Sequence, residues 1–167
     1  MTRAERWIEE RGRYRRSMAV TDFRAAVGTE KGRCTWCDGA LPGKRRVYCS
    51  AVCSDEVYVR CHPGTARHRV RLRDKKVCAA CGLDTKTLAR WKHKDKIRDE
   101  YKAMLRKLGF HLMPWGRSSF WDMDHVVPIT EGGGMCGLEG LQTLCVPCHK
   151  AETKELASRR AQERKAA

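Results

Sequence analysis

Between residues 84 and 109 the apolar positions Leu88, Trp91, Ile97, Tyr101, Met104, Leu105 and Leu108 recur at three- and four-residue steps. That period predicts a helix, with Gly109 as its stop. Trp121 to Ile129 alternates as a strand does, Gly132-Gly133-Gly134 requires a loop, and Leu141 to Cys145 reads as a second short strand. The second strand runs into a helix opening at Pro147, a favoured first helical position. Residues 154–167 continue as a charged helix or tail. Upstream, Trp7, Ile8, Tyr14 and Met18 are loosely helical in spacing among Arg3, Arg6, Arg11, Arg13, Arg15, Arg16 and Arg24, so residues 1–32 read as a basic helical arm. The Cys-rich text from 33 to 61, punctuated by Gly39, Pro42 and Gly43, predicts a small knuckle.

Core-forming residues are scarce: 11 Val, 11 Leu, 3 Ile and 3 Phe in 167 residues, about 17%. Below roughly 20%, with high net charge, a chain normally reads as disordered. Ten cysteines change that expectation, because metal or disulfide cross-links replace apolar core in small domains. A large enzyme with one deep core is excluded. So is a membrane-spanning helix, since no apolar run approaches the ~20 residues required. Met1 to Glu10 carries no apolar signal region, so an intracellular location (cytoplasm, nucleoid or nucleus) is expected, where thiols stay reduced and bind metal.

The cysteines sort by spacing. Cys34 and Cys37 with Cys49 and Cys53 form one four-thiol set; Cys78 and Cys81 with Cys145 and Cys148 form another, whose halves lie far apart in sequence. Each offers the four thiolates that a structural Zn²⁺ prefers. Cys61 and Cys136 remain as ordinary thiols. The two clusters are similar in kind, but no internal repeat is evident. Cys145 to His149 also fits the C-x-x-C-H haem signature, a reading set aside because Cys78 and Cys81 supply a matching pair.

Candidate chemistry lies in Asp124, His125 and His149. A zinc at the second thiol set would pin the start of the last helix, letting Asp124 and His149 converge. A carboxylate oxygen and an imidazole nitrogen suit a divalent cation such as Mg²⁺ or Mn²⁺, with Zn²⁺ or Ni²⁺ as alternatives. Adjacent strand residues face opposite ways, so Asp124 and His125 do not naturally share a target.

Trp121-Asp122-Met123-Asp124-His125, the glycine triplet, and Gly137 through Cys145-Val146-Pro147-Cys148-His149 together resemble the HNH endonucleases. The resemblance is to the subgroup found at the C-terminus of the eukaryotic zinc-finger Ran-binding annealing helicase and in bacterial and phage relatives, and it covers roughly residues 33–153. It implies an α+β chain: a small zinc-stapled ββα-metal domain over 62–153, with a helical insertion at 84–109, preceded by a four-cysteine zinc knuckle at 33–61. It further implies a metal-dependent endonuclease acting on duplex or branched DNA. His125 would be the general base, while Asp124 and His149 would hold one catalytic cation that stabilises the scissile phosphate and the leaving 3′-oxygen. The expected products are a 5′-phosphate and a 3′-hydroxyl. One departure stands out. The family's Asn before the second strand is matched here by Gly140, with Gln142 as a candidate substitute; a zinc-stapled DNA-binding module without catalysis is therefore the alternative.

Charge completes the picture. The chain carries 35 Lys and Arg against 20 Asp and Glu, a formal net charge of +15, as a polyanion-binding protein would. The run containing Arg67, Arg69, Arg71 and Arg73 leads directly into Cys78 and is the candidate phosphate-tracking segment. Lys92, Lys94 and Lys96 are weaker candidates.

Overall fold

A computed structural model describes residues 1–28, 30–91, 98–112 and 119–166. The chain forms two compact units, one of residues 1–70 with 125–141 and the other of 71–124 with 142–167. Among the described residues no helix is long and apolar enough to cross a membrane.

The first unit is helical. Helix α1 (Arg3–Trp7) opens on a capping box in which the Thr2 hydroxyl accepts from the Glu5 N–H and the Glu5 carboxylate accepts from the Thr2 N–H. A π-helical turn, Ile8–Gly12, and then α2 (Val20–Val27) follow. Ser50 caps α3 (Ala51–Cys61) by accepting the Cys53 N–H at 3.2 Å. His62 ends that helix and precedes the next, α4 (Pro63–Asp74), where its Nδ1 accepts the Thr65 N–H at 3.1 Å.

Ala4, Phe23, Val57, Cys61 and Met135 are buried together, with Trp7 meeting Phe23 edge-on at 5.4 Å. The N-terminal segment is therefore not a separate limb. Its arginines stay at the surface, while Trp7 and Phe23 need cover that the rest of the unit supplies. The glycine triplet takes part: the Gly134 N–H donates to the Arg13 carbonyl at 2.6 Å, and a Cβ on Gly134 would collide with the Arg13 and Arg15 backbone. Arg3 ties this segment to the knuckle, its Nε 2.7 Å from Asp38 Oδ1.

The second unit holds most of a two-stranded sheet, β1 (Trp121–His125) and β2 (Leu141–Cys145). Val126 N–H donates to Gly140 at one end and Val146 N–H to Phe120 at the other, which sets an antiparallel register. The strand expected to reach Ile129 stops at His125, and a 3₁₀ turn, Ile129–Glu131, follows Pro128, which has no N–H to extend a ladder. The helix expected over 84–109 is observed as α5 (Thr85–Trp91) and α6 (Arg98–Lys107), with 92–97 outside the described residues along with Lys92, Lys94 and Lys96. Gly109 does terminate it, at φ +81°. Helix α7 (Val146–Ala166) begins directly after β2. Leu88, Tyr101, Phe110, Phe120, Leu144 and Val146 form the core around Cys78 and Cys145.

Asp74 anchors the sheet, its Oδ2 accepting the Thr143 N–H at 3.1 Å while Arg73 pairs with it at 2.6 Å. Burial opposes ionisation of Asp74, but the hydrogen bonds from Arg73 and Thr143 outweigh it and hold the carboxyl below its ordinary 3.8. Its contribution is present above that value and lost as pH falls through the lower folded one. Asp74→Ala is expected to cost about 1–3 kcal/mol at pH 7 by leaving the Thr143 N–H unpaired. Urea melts at pH 7 and at acid pH check this, the difference from the parent narrowing below about pH 3.8.

Candidate metal centres

The two thiol sets expected from spacing are each gathered, with all four Sγ atoms within 4.8 Å of one another. Sγ separations of 3.5 Å for Cys37–Cys49, 3.4 Å for Cys49–Cys53 and 3.8 Å for Cys81–Cys145 are far too long for disulfides. They match the edge of about 3.8 Å expected of a tetrahedron with Zn–S near 2.3 Å. The donor sets therefore fit tetrahedral ions.

The sets are also copies of one another, which linear comparison misses. Arg33 bridges Ala40 as Val77 bridges Asp84. Cys34 N–H bonds Gly39 as Cys78 N–H bonds Leu83, and the carbonyls of Cys34 and Cys78 accept from Asp38 and Gly82, both left-handed at φ +58° and +72°. Each knuckle meets its second cysteine pair at a helix start, α3 in one copy and α7 in the other. The first thiol of each set is made more acidic than an ordinary cysteine. Burial opposes ionisation of Cys34 and Cys78, but N–H groups outweigh it and bring both to about 7, from Cys37, Cys49 and Trp36 in one case and from Cys145, Cys81 and Ala80 in the other. Burial foremost pushes Cys53 up to about 12 and Cys145 to about 11. Cys61 and Cys136 join neither set, and burial raises both.

Next to the second set lies a different donor group. His149 follows Cys148 in the first turn of α7, and its Nε2 stands 3.9 Å from Asp124 Oδ1. Its Nδ1 is 3.3 Å from Asp122 Oδ2. The two aspartates alternate along β1 and so share one face, with Met123 between them on the other. Glu152, one turn along α7, has its carboxyl raised above the ordinary 4.5, first by burial and then by the charge of Asp124 and a hydrogen bond with it. Carboxylates beside an imidazole are ligand types that suit a hard divalent cation, although among the described residues only the two thiol sets bring three or more donor atoms within 4.8 Å of one another. Two donors on one octahedral ion at about 2.1 Å stand about 3.0 Å apart when adjacent and about 4.2 Å apart when opposite, so Nε2 and Oδ1, 3.9 Å apart, would draw together by roughly 0.9 Å to take adjacent positions on one ion. Asp122 and Glu152 went unnoticed in the sequence; the D-x-D alternation and the three-residue step from His149 were the signals. His125 is half-buried and ends β1.

Residues 110–155 match the HNH endonuclease family. This chain is an HNH family member. It is 35% identical to the mouse DNA annealing helicase and endonuclease ZRANB3 over 127 residues, covering 71% of this chain and 12% of that protein. The human counterpart is 30% identical over 128 residues with the same coverage. The chain thus spans about an eighth of the relatives it matches. The crystal structure of the human ZRANB3 HNH domain aligns at 29% identity and a TM-score of 0.48, covering 61% of this chain and 95% of that one. The fold is the α+β architecture expected, an HNH ββα core with two thiol clusters able to hold zinc.

At Gly140, where the resemblance drawn from the sequence leads one to expect Asn, an added Cβ would lie 2.7 Å from Cys136 Cβ and 2.8 Å from its Sγ. Cys136 thus fills the space, and the side chain cannot simply be restored. Gln142 falls across β2 from Asp124 by register, on the carboxylate face. The four arginines of α4 divide by helical spacing. Arg69 holds Asp55 through Nε and Nη2 at 2.9 and 2.6 Å, and Arg73 holds Asp74, whereas Arg67 and Arg71 share another face. Arg60 is structural, stacked 4.4 Å over the Trp36 ring and paired with Glu56.

Two outcomes are expected. Cys145→Ser should lower tightly bound metal from about two ions per chain to about one, measured by atomic absorption on dialysed protein. Gly140→Asn should destabilise the fold by about 1–3 kcal/mol in denaturant melts, since Cys136 must give way.

Proposed function

We propose that this chain is a metal-dependent endonuclease that hydrolyses DNA phosphodiester bonds. The observation that carries the reading is the 3.9 Å approach of His149 Nε2 to Asp124 Oδ1 beside a four-thiol cluster. Zn²⁺ at the two thiol sets would be structural. Asp124 and His149 would hold a catalytic Mg²⁺ or Mn²⁺, which supplies charge stabilisation to the scissile phosphate and the leaving 3′-oxygen. His125, next in the chain to Asp124, takes the proton of the attacking water; an imidazole with an unperturbed pKa near 6.5 suits that task at neutral pH. In-line attack then leaves a 5′-phosphate and a 3′-hydroxyl. The annealing-helicase and endonuclease names of the ZRANB3 relatives support DNA as the substrate, and an intracellular site of action accords with reduced thiols. The DNA is duplex or branched, and α4 contributes phosphate contacts through Arg67, Arg69, Arg71 and Arg73, of which Arg69 also pairs with Asp55 and Arg73 with Asp74.

A binding-only reading is favoured by one observation, the Cys136 thiol occupying the place of the HNH Asn at Gly140. Plasmid nicking separates the two. Turnover with Mg²⁺ or Mn²⁺, abolished by EDTA and reduced at least about 100-fold in His125→Ala, supports the nuclease; metal-independent binding without cleavage supports the module. Arg67→Glu with Arg71→Glu is expected to weaken DNA binding at low salt and to lower the salt slope by about one for each phosphate no longer neutralised. An unchanged slope removes α4 from the interface.

A further inference from the structure

We propose that Asp122 is a positioning residue that sets the tautomer and orientation of the His149 ring, so that Nε2 presents a lone pair on the side of Asp124. The inference rests on the reading of Asp124 and His149 as the cation-binding pair. It starts from the two edges of one ring: Nδ1 lies 3.3 Å from Asp122 Oδ2, and Nε2 lies 3.9 Å from Asp124 Oδ1. A neutral imidazole carries a single N–H, and a carboxylate can only accept. Both carboxylates cannot be served by it at once. The shorter contact belongs to Asp122, whose side chain is the less exposed of the two, 20% against 26% for Asp124. The proton therefore resides on Nδ1, and Nε2 is left bare and facing Asp124.

The backbone explains why the pair is aligned. Asp122 and Asp124 are two residues apart on β1 and project from the same face, while the ring comes from the first turn of α7. The spacing between carboxylates along the strand is thus matched to the two nitrogens of one imidazole. Partners of this kind fix ring orientation and raise the basicity of a ligating nitrogen, and their loss weakens metal binding by about 10- to 100-fold.

The test uses the full chain with its zinc, labelled with ¹⁵N. At pH 8, where an unperturbed imidazole is neutral, long-range ¹H–¹⁵N correlation is expected to show His149 protonated on Nδ1. Asp122→Ala should mix the tautomers and weaken Mn²⁺ binding, followed by electron paramagnetic resonance, about 10- to 100-fold. Asp122→Asn, which keeps an oxygen acceptor, should retain the Nδ1–H form. A parent ring protonated mainly on Nε2 overturns the proposal without any variant having to fold, as does an unchanged tautomer and Mn²⁺ affinity in Asp122→Ala. Asp124→Ala and His149→Ala separate the failures: if both bind Mn²⁺ as the parent does, the cation-binding pair itself is wrong, whereas their loss of binding beside an unaffected Asp122→Ala rejects only the positioning role.

Discussion

A helix start held by sulfur is the constraint on which the rest of this structure depends. Cys145 closes β2 and Cys148 sits in the first turn of α7, and together with Cys78 and Cys81 they converge within 4.8 Å. His149 is the next residue, so its position over β1 follows from the thiol cluster rather than from side-chain packing of its own. With about 17% core-forming residues, the chain has little apolar surface with which to fix a helix to a two-stranded sheet. A tetrahedral ion at the four thiols would provide that fixation locally, its binding energy becoming folding energy.

The device occurs twice with different consequences. In both copies a C-x-x-C knuckle with a left-handed residue after its second cysteine meets a cysteine pair at a helix start. In the second copy the residue after the last cysteine is His149, and an acidic strand lies beneath it. The corresponding position in the first copy is Ser54, and among the described residues neither strand of the sheet belongs to that knuckle. The first copy instead starts α3, which buries Val57 and Cys61 against Phe23, Ala4 and Met135. One architecture therefore serves packing in one unit and a polar donor group in the other.

Electrostatics in this chain is partitioned in the same way. A net charge of +15 invites the view that every arginine faces a polyanion. Arg3, Arg60, Arg69 and Arg73 instead hold Asp38, Glu56, Asp55 and Asp74, and the first and third of these pairs join separate stretches of the chain. The gathering of Asp122, Asp124 and Glu152 near one imidazole at the start of α7 runs against the overall charge.

Much of this was legible in linear form. Cysteine spacing determined both thiol sets, because a C-x-x-C turn gathers two sulfurs locally whatever surrounds it. The alternation and glycine punctuation near residues 121–145 determined both strands, and the Asp-His with C-x-x-C-H order marked the HNH segment. Other features were decided only in three dimensions. The burial of Trp7 and Phe23 depended on partners tens of residues away, so a basic arm became part of a packed unit. The role of each arginine depended on which carboxylate its helix face met. The pairing of Asp122 and Asp124 with the two nitrogens of His149 required a strand period and a helix start to be brought into register, and distance in space of that kind has no signature in the order of residues along a chain.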